Sequence, residues 1–115
     1  MENFQVKNNS SDRKASLEDL IKLIETLRGE NGCPWDKEQT PETLAIYLVE
    51  EVYELLDAIE SGNPQDVCEE LGDVLFQIIF MAGLYREMKH FDIYDSVRVN
   101  TVKMIRRHPH VFGDV

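Results

Sequence analysis

The sequence predicts an all-α domain, a four-helix arrangement joined by short loops. Three observations lead there. Apolar residues recur at three- and four-residue spacing in four segments, each opened by a residue suited to capping a helix. No segment alternates with strand period while carrying β-branched enrichment. Most of the six glycines and four prolines fall between the periodic segments, as helix punctuation. At 115 residues the chain suits one domain, large enough to bury a core without disulfide or metal staples.

Ser16 opens the first helix and Asp19 follows three residues later, a shortened capping box. Leu17, Leu20, Ile21, Ile24 and Leu27 then recur at helical spacing, and Gly29 and Gly32 end the run. Asn31 to Thr40 reads as a loop carrying Cys33-Pro34-Trp35-Asp36. Thr40 caps a second helix with Pro41 in its first position, running to about Glu60. Asn63 and Pro64 start a third helix reaching roughly Met88. Asp92 caps a fourth, from about Ile93 to Arg107, which cannot continue through Pro109. Residues 1–15 are polar and aperiodic and read as a flexible tail, leaving 16–115 as the helical domain.

Acidic residues outnumber basic ones 22 to 12, a net charge of −10. That balance argues against nucleic acid, whose phosphates need clustered Lys and Arg, and against an anionic membrane surface. No signal peptide or bilayer-spanning apolar run is visible, so a cytoplasmic location is expected. Cys33 and Cys68 form no CxxC pair and read as idle thiols in a reducing compartment.

The second helix places Leu44, Leu48, Leu55, Ala58 and Ile59 on one stripe, and Glu51 falls inside it with Glu54 on its flank. On the third helix the expected core arc is Val67, Leu71, Val74, Ile78, Ala82 and Tyr85. Glu70 flanks that arc, and Asp73 shares a side with Gln77, Phe80 and Leu84. From Val74 to Leu84 only Gln77 is clearly polar, so this helix should be buried on most sides, in the domain or in an oligomer interface. Two helices thus carry acid pairs at i, i+3, each pair on one face. Neither four-residue motif contains a base. Four such carboxylates would repel one another and lose hydration, so a cation must share the space; oxygen donors suit Mg²⁺, Mn²⁺ or Ca²⁺. The alternative is a pair of solvated, helix-favouring acid faces. Gly72, between the acids, suggests a close approach by a helix or ligand, or a plain packing glycine.

Lys103 and Arg107 flank the apolar arc of the fourth helix, Ile93, Val97 and Met104, where they could hold a polyphosphate or merely complement the helix C-terminus. Trp35 could stack on a base or plug the end of the bundle. His108-Pro109-His110 is a poor metal site.

Together these segments resemble the MazG family of nucleoside triphosphate pyrophosphohydrolases, from about Leu17 to Phe112. The resemblance is carried by Cys33-Pro34-Trp35-Asp36 with Gln39-Thr40, by Tyr47 to Glu54 (YLVEEVYE), by Glu69 to Asp73 (EELGD), and by Arg106 to Phe112 (RRHPHVF). The family pattern is ExxE, a spacer, then ExxD; here residues 55–69 form the spacer. The resemblance implies an all-α MazG-like bundle completed by assembly into homodimers or homotetramers. It implies cleavage of nucleoside triphosphates to monophosphate and pyrophosphate, dependent on Mg²⁺ with Mn²⁺ as a substitute, as housekeeping of the nucleotide pool. Carried over by motif, Glu51, Glu54, Glu70 and Asp73 become the metal ligands and catalytic acids, Lys103 and Arg107 contact the phosphates, and Glu50 supports the ligand set. The Cys-Pro-Trp-Asp and Arg-Arg-His-Pro-His segments look like the first half of tandem two-domain members, which continue past Phe112. A non-catalytic helical module binding nucleotide or protein, an inactive fragment of such a member, and a purely structural oligomer are the competing expectations.

Overall fold

The computed structural model describes residues 15–113. Six helices follow one another: α1 (Leu17–Leu27), α2 (Pro34–Lys37), α3 (Pro41–Ser61), α4 (Pro64–Glu87), α5 (Ile93–Arg107) and α6 (Pro109–Phe112), with no strand among the described residues. The four long helices are those expected, and the all-α class holds. The flexible tail expected over 1–15 lies outside the described residues except for Ala15.

Local chemistry sets each boundary. The Ser16 hydroxyl accepts from the Asp19 backbone N–H while the Asp19 carboxylate accepts from the Ser16 N–H, a full capping box. Thr40 with Thr43 and Asp92 with Asp95 repeat the device on α3 and α5. Between α3 and α4, Gly62 adopts φ +77°, a left-handed C-cap that L side chains resist. Asn63 then caps α4 by accepting from the Gln65 N–H, and Pro64 occupies the first helical position.

The expected loop at 31–40 and the segment from Pro109 each contain a single helical turn. Pro34–Lys37 winds up as α2, and Pro109–Phe112 as α6 after a break at His108. Four residues are too few to display a 3.6-residue period, so neither registers as a pattern. Gly32 lets this region fold back on α1: a Cβ there would lie 2.1 Å from the Leu27 carbonyl oxygen, and the Cys33 N–H donates to that same oxygen at 2.8 Å.

Arg28, just past α1, fastens α1, α2 and α4 together. Its guanidinium binds Glu87 through two bonds, Nε to Oε2 at 2.6 Å and Nη2 to Oε1 at 2.7 Å. Nη1 donates to the Asp36 carbonyl, and the group lies 5.6 Å from the Phe80 ring centre. These bonds hold Glu87 below the usual carboxylate range; burial opposes the shift, and the Arg28 and Arg86 charges add to it.

α3 and α4 form the principal helix pair, α1 packs on α4, and α5 touches α4 and α6. The core is Ile24, Leu44, Ile79, Phe80 and Leu84, with Ala58 and Ala82 also buried. The expected core arcs need correction. Leu71 and Ile78 of α4, Ile59 of α3 and Val97 of α5 are exposed, while Ile79, Phe80 and Leu84 carry the burial on α4. α4 is apolar on more than one side, and periodicity does not say which side meets this chain's own helices. Trp35 is 74% exposed, so it does not plug the bundle end within this chain. Among the described residues a Cβ on Gly72 would meet nothing within 4 Å, so none of them makes the close approach suggested for it.

Candidate metal centre

The α3–α4 turn explains how two acid pairs become one site. Glu54 lies eight residues before Gly62 and Glu70 eight after; Glu51 lies eleven before and Asp73 eleven after. In an antiparallel hairpin pivoting on Gly62, equal arms bring Glu54 opposite Glu70 and Glu51 opposite Asp73. At about 1.5 Å per residue the site sits roughly 12–16 Å from the turn.

The outcome is a cluster in which one carboxylate oxygen from each of Glu51, Glu70 and Asp73 lies within 4.8 Å of the others. Glu51 and Glu70 are half-buried and Asp73 is exposed. Glu51 Oε2 and Glu70 Oε2 are sealed from solvent and have no hydrogen-bond partner among the described residues. Burial first, then the charges of Glu54 and Asp73, a side-chain contact with Glu54 and the charge of Glu70 push the Glu51 carboxyl up from its ordinary value. Glu70 is pushed up in the same way, by burial and then by Glu54, Asp73, Glu69 and Asp66. Neither shift includes any cationic contribution. Among the described residues, no side chain that would neutralise the cluster contributes to the forces acting on either carboxyl.

Glu54, the fourth expected ligand, is outside the three-oxygen cluster. It lines an open cleft of about 360 Å³ with Asp57, Ser61, Asp66, Glu69 and Glu70, and its charge is felt at both Glu51 and Glu70. Asp57, Asp66 and Glu69 extend the acidic cleft beyond the quartet. Their helical spacing, Asp57 at i+3 from Glu54 and Asp66 at i−4 from Glu70, is the signal that could have placed them there. Glu50 is exposed.

The donor set fits a hard divalent cation. It is made of carboxylate oxygens alone, two of them buried and unpartnered, on two helices whose packing holds them together.

Neither Lys103 nor Arg107 is among the charges felt at Glu51 or Glu70. Lys103 lines a groove with His90, Phe91 and Arg98 beyond the C-terminal end of α4. From Asp73 to Glu87 that helix spans about 21 Å at 1.5 Å per residue. His108 and His110 sit with ring centres 5.7 Å apart at the α5–α6 elbow, and the His108 Nδ1 is engaged with the Met104 carbonyl. Both cysteines are free thiols, Cys33 half-buried and Cys68 exposed.

Comparison with known proteins agrees with the geometry. The MazG nucleotide pyrophosphohydrolase domain matches residues 39–112, a span that takes in α3 to α6 and the whole acid quartet. A Thermotoga maritima protein named nucleoside triphosphate pyrophosphohydrolase/pyrophosphatase MazG is 52% identical over 98 residues, covering 85% of this chain and 38% of that protein. An Escherichia coli nucleoside triphosphate pyrophosphohydrolase is 48% identical over 99 residues, 85% of this chain and 38% of its own length. A Mycolicibacterium smegmatis protein of the same name is 42% identical over 99 residues, 84% of this chain and 30% of its own. The chain therefore spans about two fifths or less of the length of these relatives. With the acid pairs of α3 and α4 inside the matched span, the chain belongs to the MazG nucleotide pyrophosphohydrolase domain family.

Proposed function

We propose that this chain is a Mg²⁺-dependent nucleoside triphosphate pyrophosphohydrolase, converting triphosphate and water to monophosphate and pyrophosphate in the cytoplasmic nucleotide pool. One observation carries the reading: two buried carboxylate oxygens without partners, in a three-carboxylate cluster of a MazG domain. Glu51, Glu70 and Asp73 would hold the cation, with Mn²⁺ able to replace Mg²⁺. When bound, such an ion supplies positive charge to phosphate oxygens and lowers the pKa of a nearby water. Glu54, which lines the cleft, is left to accept the proton of the attacking water as the water oxygen bonds to phosphorus and the bond to the pyrophosphate oxygen breaks. The acidic cleft repels a bare triphosphate, so binding of substrate is coupled to loading of the cation.

The same reading includes a homodimer or homotetramer. Ile46, Val49, Tyr53 and Leu56 follow one another at 3-4-3 spacing along α3, and all are exposed. Leu71, Leu75 and Ile78 form a second exposed row on α4. Rows of this spacing are helix-packing seams. A second copy laid on them would complete a bundle and offers a route for the Lys103 and Arg107 of one copy to reach the phosphates held by another.

The test is a product assay on the purified chain, using a panel of nucleoside triphosphates with and without Mg²⁺. Mg²⁺-dependent monophosphate plus pyrophosphate is the expected result, and Asp73→Asn should abolish most of it while leaving the helical circular dichroism unchanged. Orthophosphate as product would overturn the cleavage position. A folded chain that binds Mg²⁺ and nucleotide without turnover would favour the non-catalytic binding module.

A further inference from the structure

Gln77 is a polar side chain that the acid quartet leaves out. It interrupts the apolar stretch from Val74 to Leu84 and follows Asp73 by one helical turn, on the face that Glu70 and Asp73 share. The next residue along that face is Phe80, 1% exposed and the centre of the core, with Leu84 beyond it. Gln77 therefore stands where the acidic cluster meets the hydrophobic core. Its Oε1 is sealed from solvent and has no hydrogen-bond partner. Among the described residues, three buried side-chain oxygens lack a partner: Glu51 Oε2, Glu70 Oε2 and Gln77 Oε1. Two belong to the cluster itself, and the third lies one turn from it.

A buried amide oxygen with nothing to accept from costs more than an apolar side chain of the same shape. On the core side, Leu44 and Phe80 have no polar side-chain atom to offer. On the other side lie three carboxylates that fit a hydrated cation. From this placement we infer that Gln77 is a positioning residue of the metal centre: its side-chain amide accepts, through Oε1, a hydrogen bond from water held among the loaded carboxylates. The amide thereby fixes the inner edge of the site. This rests on the cation-binding reading above. Residues behind a metal's direct ligands commonly change affinity about 10–100-fold when removed.

The experiment titrates Mn²⁺ and Mg²⁺ into wild-type protein, Gln77→Met and Gln77→Glu by calorimetry, beside thermal unfolding of each without metal. Met keeps the length and fills the space without an acceptor oxygen. The expected result is a metal-free Gln77→Met protein at least as stable as wild type, since an unpartnered polar atom is gone, with cation affinity about tenfold weaker. Gln77→Glu, which retains an acceptor oxygen in the same place, should bind at least as tightly as wild type. Where turnover is measurable, Gln77→Met should lower kcat more than it raises KM. Wild-type affinity in a folded Gln77→Met protein overturns the assignment while leaving the metal centre standing. A wild-type titration with no heat, confirmed flat in the Asp73→Asn control, overturns both together.

Discussion

Arg28 gives the fold its most concentrated polar anchor, and replacing it with methionine isolates that contribution. Methionine preserves much of the apolar stem over Phe80 and deletes the guanidinium. Three interactions are lost. The first is the double bond to Glu87, at 2.6 and 2.7 Å, with the Arg28 side chain 14% and the Glu87 side chain 45% exposed. Because Glu87 can rehydrate, this pair is discounted towards the exposed range, about 1 kcal/mol. The bond to the part-buried Asp36 carbonyl adds about 1 kcal/mol, and the contact with the Phe80 ring about 0.5 kcal/mol. Arg28→Met should therefore cost about 2.5 kcal/mol, a fall in melting temperature of roughly 10–20 °C for a domain of this size. Glu87→Gln should cost about 1 kcal/mol, and the double variant should show coupling between the sites. The pair also has a pH signature. Glu87 is held below its ordinary value of 4.5 in the folded state, so its contribution is complete above that pH. As pH falls through the lowered folded value the contribution disappears, and wild type and Glu87→Gln should converge. Thermal and urea unfolding followed by circular dichroism, at pH 7 and across the acid range, measure all of this. An Arg28→Met loss below about 0.5 kcal/mol, or a gap to Glu87→Gln that persists in acid, would refute the reasoning.

Glu51→Gln should stabilise the metal-free protein, raising its melting temperature by roughly 4–8 °C, while weakening Mg²⁺ binding in a titration; unchanged affinity would remove Glu51 from the site. Gly72→Ala should gain about 0.5–1 kcal/mol in the isolated chain, because glycine is a poor helix former and the added methyl meets open space. If the same variant instead loses stability only where the protein self-associates, a second copy approaches Gly72. Lys103→Ala should raise KM for triphosphates more than it lowers kcat, and mixing it with Asp73→Asn should restore turnover if cations and carboxylates at one site come from different copies. Two inactive or weakened proteins that stay so on mixing would refute that shared-site arrangement.

The helices were legible because their signals are local. Ser16, Thr40, Asn63 and Asp92 each cap from within three residues, and the structure starts a helix after every one of them. Glu51 was legible as a charged residue inside an apolar stripe, and Gln77 as a break in an apolar run. What stayed hidden depends on distance in sequence. Arg28 and Glu87 are 59 residues apart, and no local pattern announces their bond. Leu71 and Ile78 have the periodicity of core residues and the exposure of surface residues, since a helix with two apolar sides reads the same whichever side its own chain covers. The duplicated i, i+3 spacing grouped all four acids as one set; the geometry draws three of them into a cluster and leaves Glu54 at the cleft, a distinction that spacing alone does not carry.

The equal arms about Gly62 restrict how the distance between the two acid motifs can change over evolution. A residue inserted within α3 or α4, between the turn and an acid, rotates everything beyond it by about 100° and swings that carboxylate out of the cleft. Residues inserted into the turn itself lengthen the spacer without rotating either arm. Matched additions near whole helical turns on both arms would move the site outward along the hairpin and keep it intact. Spacer length should therefore vary among related domains at the turn, or in paired steps of three or four residues, and single-residue changes inside one arm should be rare.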